Sequence, residues 1–386
     1  MRILFVADGR SPTALNWIRY FVENGDEVYL ASTFVCQPGL ELKGLDFIPV
    51  AFSRLKAAAA ANHTRRSSTR IAGLRSAIRH LLGPLTITRA AARLRELAGR
   101  IKPDLIHAMR IPFEGMLAAE AYRDVPLLVS VWGNDFTLHA PASPLMRHYT
   151  RLTMRVADAL HADCQRDIRL ALEWGYPVKL PFLVAPGNGG IHLEVFHPPQ
   201  RHVEEPIALN PRGFRTYVRN DTFFEAIPLV LKQVPQARFL CAAMQDEPQA
   251  QAWIEKLGIG GSVELLARLP HAQMGAVYRR AAVLVSPSVH DGTPNTLLEG
   301  MACGCFPIAG DIESVREWID PGENGFLVDP TRPEPLAEAI IQAFTCKDLR
   351  VRAAGLNRER IRERADYSTC MAQAGAFYRR IVAGGY

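Results

Sequence analysis

No stretch of this 386-residue chain approaches the ~20 consecutive apolar residues that a membrane-spanning helix needs. The opening MRILFVADGR carries a short strand-like apolar run and no small-residue cleavage pattern, so no signal peptide is expected. The seven cysteines are scattered and none forms a Cys-x-x-Cys pair. That argues against a disulfide scaffold and against a zinc site, and it fits reduced thiols in the cytoplasm. The first strand-to-helix turn, ADGRSPTA, has one glycine and no G-x-G-x-x-G, so nicotinamide chemistry is disfavoured. No Asp-x-Asp triplet occurs, which leaves no paired carboxylates to hold a divalent cation against a diphosphate. The expected metal set is therefore none, and no bound cofactor is implied. Low-complexity tracts and solenoid-length repeats are also missing.

What is present is ordinary globular composition, 48% hydrophobic and 22% charged, in a length that suits two domains. The net charge of +6 is unevenly spread. From Ser53 to Pro103 there are twelve Lys or Arg against one acid, Glu96, so the rest of the chain is net negative. Such a block suggests an anionic partner, or else a solvated helical face. Around Arg70–Leu82 and Leu85–Leu97, arginine alternates with Leu, Ile and Ala at near-helical spacing, which is compatible with an anionic membrane surface. The segment lacks interleaved aromatics and any reader motif, so nucleic acid is not expected as a partner.

Apolar runs alternate with amphipathic stretches along the whole chain. Met1–Ala7 reads as a buried strand, Asn16–Asn24 as a helix stopped by Gly25, and Glu27–Ala31 as the next strand. PDLIHA, VPLLVSVWG, IALN, ARFLCAA, SVELLA, AVLVSPS, CFPIAG and GFLVDP repeat the strand signal, and a long helical run extends from Leu349 to Val382. The pattern breaks at Pro186–Pro198, which is rich in Gly and Pro and reads as a linker. The fold class expected is α/β, with two doubly wound Rossmann-like domains facing each other across a cleft. The first would cover 1–186, with the last helix, about 366–386, packing back on it. The second would cover 187–365.

The stretch HDGTPNTLLEGMACGCFPIAG places Asp291 in a loop after a buried strand and Glu299 one to two turns along the following helix. Thr293 can cap that helix and Pro294 fits its first position. The amides of Thr293 to Leu297 then form an anion seat at the carboxyl end of a parallel strand. A carboxylate on each side of a phosphate seat makes sense if each accepts hydrogen bonds from hydroxyls attached at the two ends of a diphosphate. Otherwise Asp291 is a turn residue and Glu299 a surface acid.

SPSVHDGTPNTLLEGMACGCFPIAGDIESVREWIDPGENGFLVDP resembles the donor-binding signature of the GT-B glycosyltransferases of family 4, the glycosyltransferases group 1, whose paired acids fall on Asp291 and Glu299. NGDEVYL, KPDLIHA, VSVWGNDF, PGNGGIHLEVFHP and NRERIRERADYSTCMAQAGAFYRR carry the same resemblance across nearly the whole chain. The resemblance implies a retaining, metal-independent transfer of a sugar from a nucleoside diphosphate sugar, UDP being the common donor. The acceptor implied is lipid-linked or a polysaccharide precursor, at the cytoplasmic membrane face. It assigns Glu299 to the ribose, Asp291 to the transferred sugar, and Gly292, Thr293, Pro294, Asn295, Thr296 and Leu297 to sugar and phosphates, with Leu269 also on the donor side. The region ALNPRGFRTYVRNDTFFEA contains no lysine, so Arg212 and Arg215 take the diphosphate, with Arg219 in reserve. Gly9, Trp132, Gly133, Asp135 and Asn188 fall at the acceptor or cleft positions, Trp132 standing where the family commonly has His. His107 reads as a packed residue at a strand end. A soluble enzyme with a small-molecule acceptor, and a binding protein that has lost catalysis, are the competing expectations.

Overall fold

Short runs of β-branched and aliphatic residues, too brief for helices and bounded by Gly, Pro or Asp, form parallel strands that are buried at the sheet centres and partly exposed at the edges. The computed structural model describes residues 1–51, 53, 79–121, 124–215 and 217–384. The chain divides into two compact units, Met1–Gly189 with Thr369–Tyr386, and Gly190–Ser368. Positions 54–78 of the basic segment, with most of the expected Arg70–Leu82 surface, lie outside the described residues.

The first unit runs β1 (Arg2–Ala7), α1 (Pro12–Glu23), β2 (Glu27–Ser32), β3 (Gly44–Phe47), α2 (Ile87–Ile101) and β4 (Leu105–Ala108). It continues through α3 (Met116–Ala121), β5 (Leu127–Val131), α4 (Pro144–Val156), β6 (Ala159–Ala162), α5 (Gln165–Glu173) and β7 (Phe182–Val184). Its seven parallel strands are ordered β3-β2-β1-β4-β5-β6-β7. α1 begins earlier than expected: Ser11 accepts the Ala14 amide and Pro12 takes the first position, a start that outweighs the weak apolar signal there.

The second unit runs β8 (Ile207–Asn210), α6 (Asn220–Gln233), β9 (Arg238–Cys241), α7 (Pro248–Leu257), β10 (Val263–Leu265) and α8 (His271–Tyr278). Then come β11 (Val283–Ser286), α9 (Asn295–Ala302), β12 (Phe306–Gly310), α10 (Glu313–Arg316), β13 (Phe326–Val328), α11 (Pro333–Thr345) and α12 (Lys347–Arg364). Its six parallel strands are ordered β10-β9-β8-β11-β12-β13. In each sheet the strand order reverses once, between β1 and β4 and between β8 and β11. Loops leaving the carboxyl ends of those strands diverge there and open a crevice.

The single helical run expected from Leu349 to Val382 is two helices. α12 stops at Arg364, and the last helix begins at Tyr367. The interruption is fixed by Ile191, whose amide donates to the Ala365 carbonyl at 2.7 Å and whose carbonyl accepts from Tyr367. A carbonyl engaged in this way is lost to the helix, and no Gly or Pro announces it in the sequence.

The last helix belongs to the first unit through one buried chain of hydrogen bonds. Trp17 Nε1 donates to the Tyr378 hydroxyl at 2.8 Å, and Tyr378 meets His107 Nδ1. His107 Nε2 lies 2.7 Å from Ser130 Oγ, and Ser130 lies 2.8 Å from His161 Nδ1. His161 Nε2 reaches the Ala185 carbonyl at 3.0 Å. A carbonyl only accepts, so His161 carries a proton on Nε2, and with neutral rings each group between Trp17 and Ala185 donates once and accepts once. Burial favours the neutral form of both imidazoles. Burial pushes His161 down to about 4 and His107 well below the usual histidine range.

The sign of the linkage follows. Below the ordinary histidine value of 6.5 the unfolded chain takes up a proton that the folded chain refuses. Stability present at neutral pH is therefore lost as pH falls from there toward the folded value. His161→Asn, which cannot titrate, is expected to lose less stability on acidification than the parent. Between pH 7 and pH 5 the difference in urea unfolding free energy should narrow by about 2 kcal/mol in the variant's favour. A difference that does not change with pH would show that His161 is not buried as a neutral ring.

Candidate functional site

At the reversal point of the second sheet, the loop after β8 is shaped by two buried asparagines. Asn210 donates to Asn220 Oδ1 at 2.9 Å and accepts the Arg212 amide at 3.1 Å, while Asn220 donates to the Gly213 carbonyl at 3.1 Å. Gly213 has φ +63°, which lets the loop turn back on itself. Arg212 is thereby aimed at the loop after β11. Its Nη2 donates to Asp291 Oδ2 at 2.6 Å and its Nη1 to Thr296 Oγ1 at 3.3 Å, and its guanidinium sits 5.7 Å from the Tyr217 ring centre. The pair is mostly shielded, with 8% and 14% of the two side chains exposed, and Arg212 Nε is buried without a partner.

The β11 loop is pinned from its far side. Ser314 Oγ donates to the Asp291 carbonyl at 2.8 Å, and Trp318 Nε1 donates to Thr293 Oγ1 at 3.2 Å. This corrects the expected cap: Thr293 is engaged by Trp318, Pro294 occupies the cap position, and α9 starts at Asn295 with no side-chain cap. The cost is that the first-turn donors stay open. The amides of Asn295 and Thr296 have no acceptor among the described residues, and Asn295 Oδ1 is buried without a partner. Unpaired donors at a helix start, beside a guanidinium, form an anion seat.

Glu299 has different company. Its Oε1 lies 2.7 Å from His271 Nε2 and its Oε2 accepts from the Tyr278 hydroxyl at 2.8 Å, with the residue only 3% exposed. Each carboxylate oxygen keeps a further lone pair. The other expected donor residues are spread more widely. Arg215 is exposed and donates to the Arg212 carbonyl at 3.3 Å. Arg219 is held by Asp221 through bonds of 2.7 and 2.9 Å, which occupy it locally. Leu269 is half-buried two residues before α8. Gly292 and Leu297 are buried in the loop and first turn. His271, Tyr278, Asn210, Asn220 and Trp318 were not singled out from the sequence.

In the first unit, Asp135 is fully buried and accepts three hydrogen bonds. It accepts from Arg110 Nη2 at 2.7 Å and from the amides of Ile111 and Trp132 at 3.0 and 3.2 Å. It thus holds Arg110 at 5.5 Å from the Trp132 ring. Gly133 offers its carbonyl to Arg166 at 2.8 Å and Asn188 its carbonyl to Asn16 at 2.8 Å. A Cβ on Gly9 would stand 2.4 Å from Cys36 Sγ, so what crowds this glycine is the chain itself. Around the ends of β1, β2 and β4 lie groups the sequence did not reveal. Glu114 accepts from Thr33 Oγ1 and from the Phe113 amide, both at 2.7 Å, and burial pushes its carboxyl up. Arg10, paired with Asp8, lies 3.5 Å from the Phe34 ring centre, and Arg79 lies 5.3 Å from the same ring.

One possible cation cluster exists among the described residues: Asp163, Cys164 and Asp167, buried, with ligand atoms within 4.8 Å of one another. Arg166 donates to Asp167 Oδ1 at 2.7 Å, so a fixed positive charge already sits in the group.

Two family descriptions match this chain in tandem: "Glycosyl transferase 4-like domain" over residues 9–187 and "Glycosyl transferases group 1" over 194–360. The chain belongs to the group 1, family 4 glycosyltransferases of GT-B fold. Among its relatives are the phosphatidyl-myo-inositol mannosyltransferase of Mycobacterium leprae, 26% identical over 42% of each chain, and a D-inositol 3-phosphate glycosyltransferase of Corynebacterium jeikeium, 33% identical over 26% of this chain and 24% of that one. The lipopolysaccharide core mannosyltransferase LpcC of Rhizobium leguminosarum is 27% identical over 50% of this chain and 56% of its own. The chain thus spans between a quarter and about half the length of these relatives. Among solved structures, sucrose-phosphate synthase from Thermosynechococcus elongatus superposes with a TM-score of 0.75 at 16% identity over 100% of both chains. Anabaena HepE in complex with UDP and glucose gives 0.72 at 15% identity, covering 98% of this chain and 99% of that one.

The carboxylate of Glu299 raises the pKa of His271 above the ordinary value, chiefly by their hydrogen bond. Glu299→Gln, which removes the charge and keeps the shape, is expected to lower it. The stabilisation from this pair is present below the unfolded histidine value and is lost as pH rises through the raised one. An NMR titration of the His271 ring in parent and variant checks this, and identical midpoints would show that the two side chains do not meet.

Proposed function

We propose that this glycosyltransferase transfers a sugar, with retention and without a metal ion, from a nucleoside diphosphate sugar, UDP-linked, to a lipid-linked or polysaccharide-precursor acceptor at the cytoplasmic membrane face. The observation that carries the reading is Arg212 at the reversal point of the second sheet, beside the open amides of Asn295 and Thr296. Asp291 is the counter-ion of Arg212. An arriving diphosphate takes over that guanidinium, with Arg215 and the start of α9, and releases the Asp291 carboxylate to accept hydroxyls of the sugar. Glu299, held rigid by His271 and Tyr278, offers its remaining lone pairs to the ribose.

In the chemical step the bond from the anomeric carbon to the diphosphate oxygen breaks and a bond to the acceptor oxygen forms on the same face. The departing diphosphate oxygen takes the acceptor's proton. Arginine and helix donors stabilise the charge that develops on it, in place of a cation held by paired carboxylates. The UDP complexes of HepE support the nucleotide, and the names of the Mycobacterium and Rhizobium relatives support a lipid or surface-glycan acceptor. No helix among the described residues is long and apolar enough to cross a membrane, so attachment there is peripheral in this reading. The basic 53–103 segment favours that acceptor over a free small molecule.

Calorimetry with UDP tests the donor roles. Arg212→Ala and Glu299→Ala are each expected to weaken binding tenfold or more, since charge-assisted hydrogen bonds contribute about 1.5–3 kcal/mol. Asp291→Ala should bind UDP at least as well as the parent, having lost the competitor for Arg212, while turnover of the sugar donor collapses. A large loss of UDP affinity in Asp291→Ala, or none in Glu299→Ala, would reverse the assigned polarity of the site.

Transfer and slow donor hydrolysis should persist in excess chelator. Activity abolished by chelator and restored by magnesium or manganese would overturn the metal-free step, and absence of hydrolysis with intact UDP binding would mark a protein that only binds.

A further inference from the structure

The basic segment identified in the sequence does not act alone. α4 carries Arg147, Arg151 and Arg155 at intervals of four, all exposed, so they form one row along the helix. They line a groove of about 530 Å³ together with His148 and the turn Pro141–Pro144. Arg151 is steadied 5.7 Å from the Trp174 ring centre. No acid occurs between Asp135 and Asp158, and both of those are engaged, Asp135 within the buried cluster and Asp158 with the Leu127 amide at 2.8 Å.

At the head of this row stands an apolar corner. Ser143, the cap of α4, donates to the His80 carbonyl at 2.8 Å, and His80 Nε2 lies 3.1 Å from His139 Nδ1. The turn tied down by these bonds presents Leu81, Leu82 and Leu85 at 56%, 41% and 66% exposure, and Leu138 beside His139 is 41% exposed. Isolated exposed leucines need no explanation, but four on one hydrogen-bonded corner do. Arg89 and Arg93 follow on the exposed side of α2, and no acid occurs between Asp46 and Glu96. By contrast Arg95 is engaged with the Ala121 carbonyl and Arg100 with Asp46.

We propose that this corner is a bilayer-docking surface, in which Leu81, Leu82, Leu85 and Leu138 enter the headgroup–acyl boundary and the row Arg147, Arg151, Arg155 binds anionic lipid phosphates. The occupant is an anionic membrane because the patch pairs exposed aliphatic residues with unopposed arginines, the two features an interfacial surface requires. Nucleic acid would use the charge and leave the leucines without a partner. The surface deepens the membrane-face reading above and relocates its centre from 53–103 as a whole to α4 and the turn before α2. That turn also begins at Arg79, which stacks near Phe34 and Phe113, so the docked corner adjoins the end of the first sheet.

Flotation of the full chain with phosphatidylcholine vesicles, with or without phosphatidylglycerol, tests the assignment at about 0.05 M and about 0.5 M salt. The parent should float with the anionic vesicles at low salt only. Arg147→Glu/Arg151→Glu/Arg155→Glu should weaken partitioning by about a hundredfold or more, and the milder triple Arg→Gln version should follow the same direction. Leu81→Ser/Leu82→Ser/Leu85→Ser should weaken it several-fold while leaving the salt dependence in place. All variants should keep parental UDP affinity, so failure of the donor reading and failure of this surface register in separate measurements. Equal recovery with neutral and anionic vesicles, parental flotation by the arginine variants, or displacement of vesicles by duplex DNA would overturn the proposal.

Discussion

A carboxylate and a guanidinium 2.6 Å apart, at the ends of two neighbouring parallel strands, organise the second unit. Everything around Arg212 and Asp291 serves to bring two loops to that distance. Two asparagines bend the loop after β8, and Ser314 and Trp318 anchor the loop after β11 from behind. Strands buried on both faces leave their carboxyl ends as the place where charge can be put without desolvating it fully. The pair gives each of these shielded charges an opposite partner.

The first unit handles the same edge differently. Asp135 is held by two amides and Arg110, and it therefore acts as a strut that sets Trp132 beside a guanidinium. The family pattern at Gly133 and Asp135 is thus explained by support of the neighbouring groups. Beside them Arg110 covers the Trp132 ring, and Arg10 and Arg79 cover the Phe34 ring.

Much of this was legible beforehand. The alternation of buried strands and amphipathic helices follows from local pattern, so it could be read along the chain. Asp291 and Glu299 stood out because one contiguous loop and helix carry them, and Arg212, marked in a region without lysine, is found against Asp291. What escaped were contacts between distant positions. His271 and Tyr278 reach Glu299 from another helix, Trp318 takes Thr293 out of its capping role, and Ile191 breaks the last helical run at Ala365. None leaves a periodicity or a motif. The tie of Arg219 to Asp221 is different: a carboxylate two residues away was in plain view and points to local pairing.

The hydrogen-bond chain from Trp17 to Ala185 has a consequence for how the protein is made. Tyr378 is its second link, so the core of the first unit contains a residue from the final helix. During synthesis the second unit, Gly190–Ser368, is complete in sequence before the first can close. Until the ribosome has passed Tyr378, the link between Trp17 and His107 is missing from the core of the first unit.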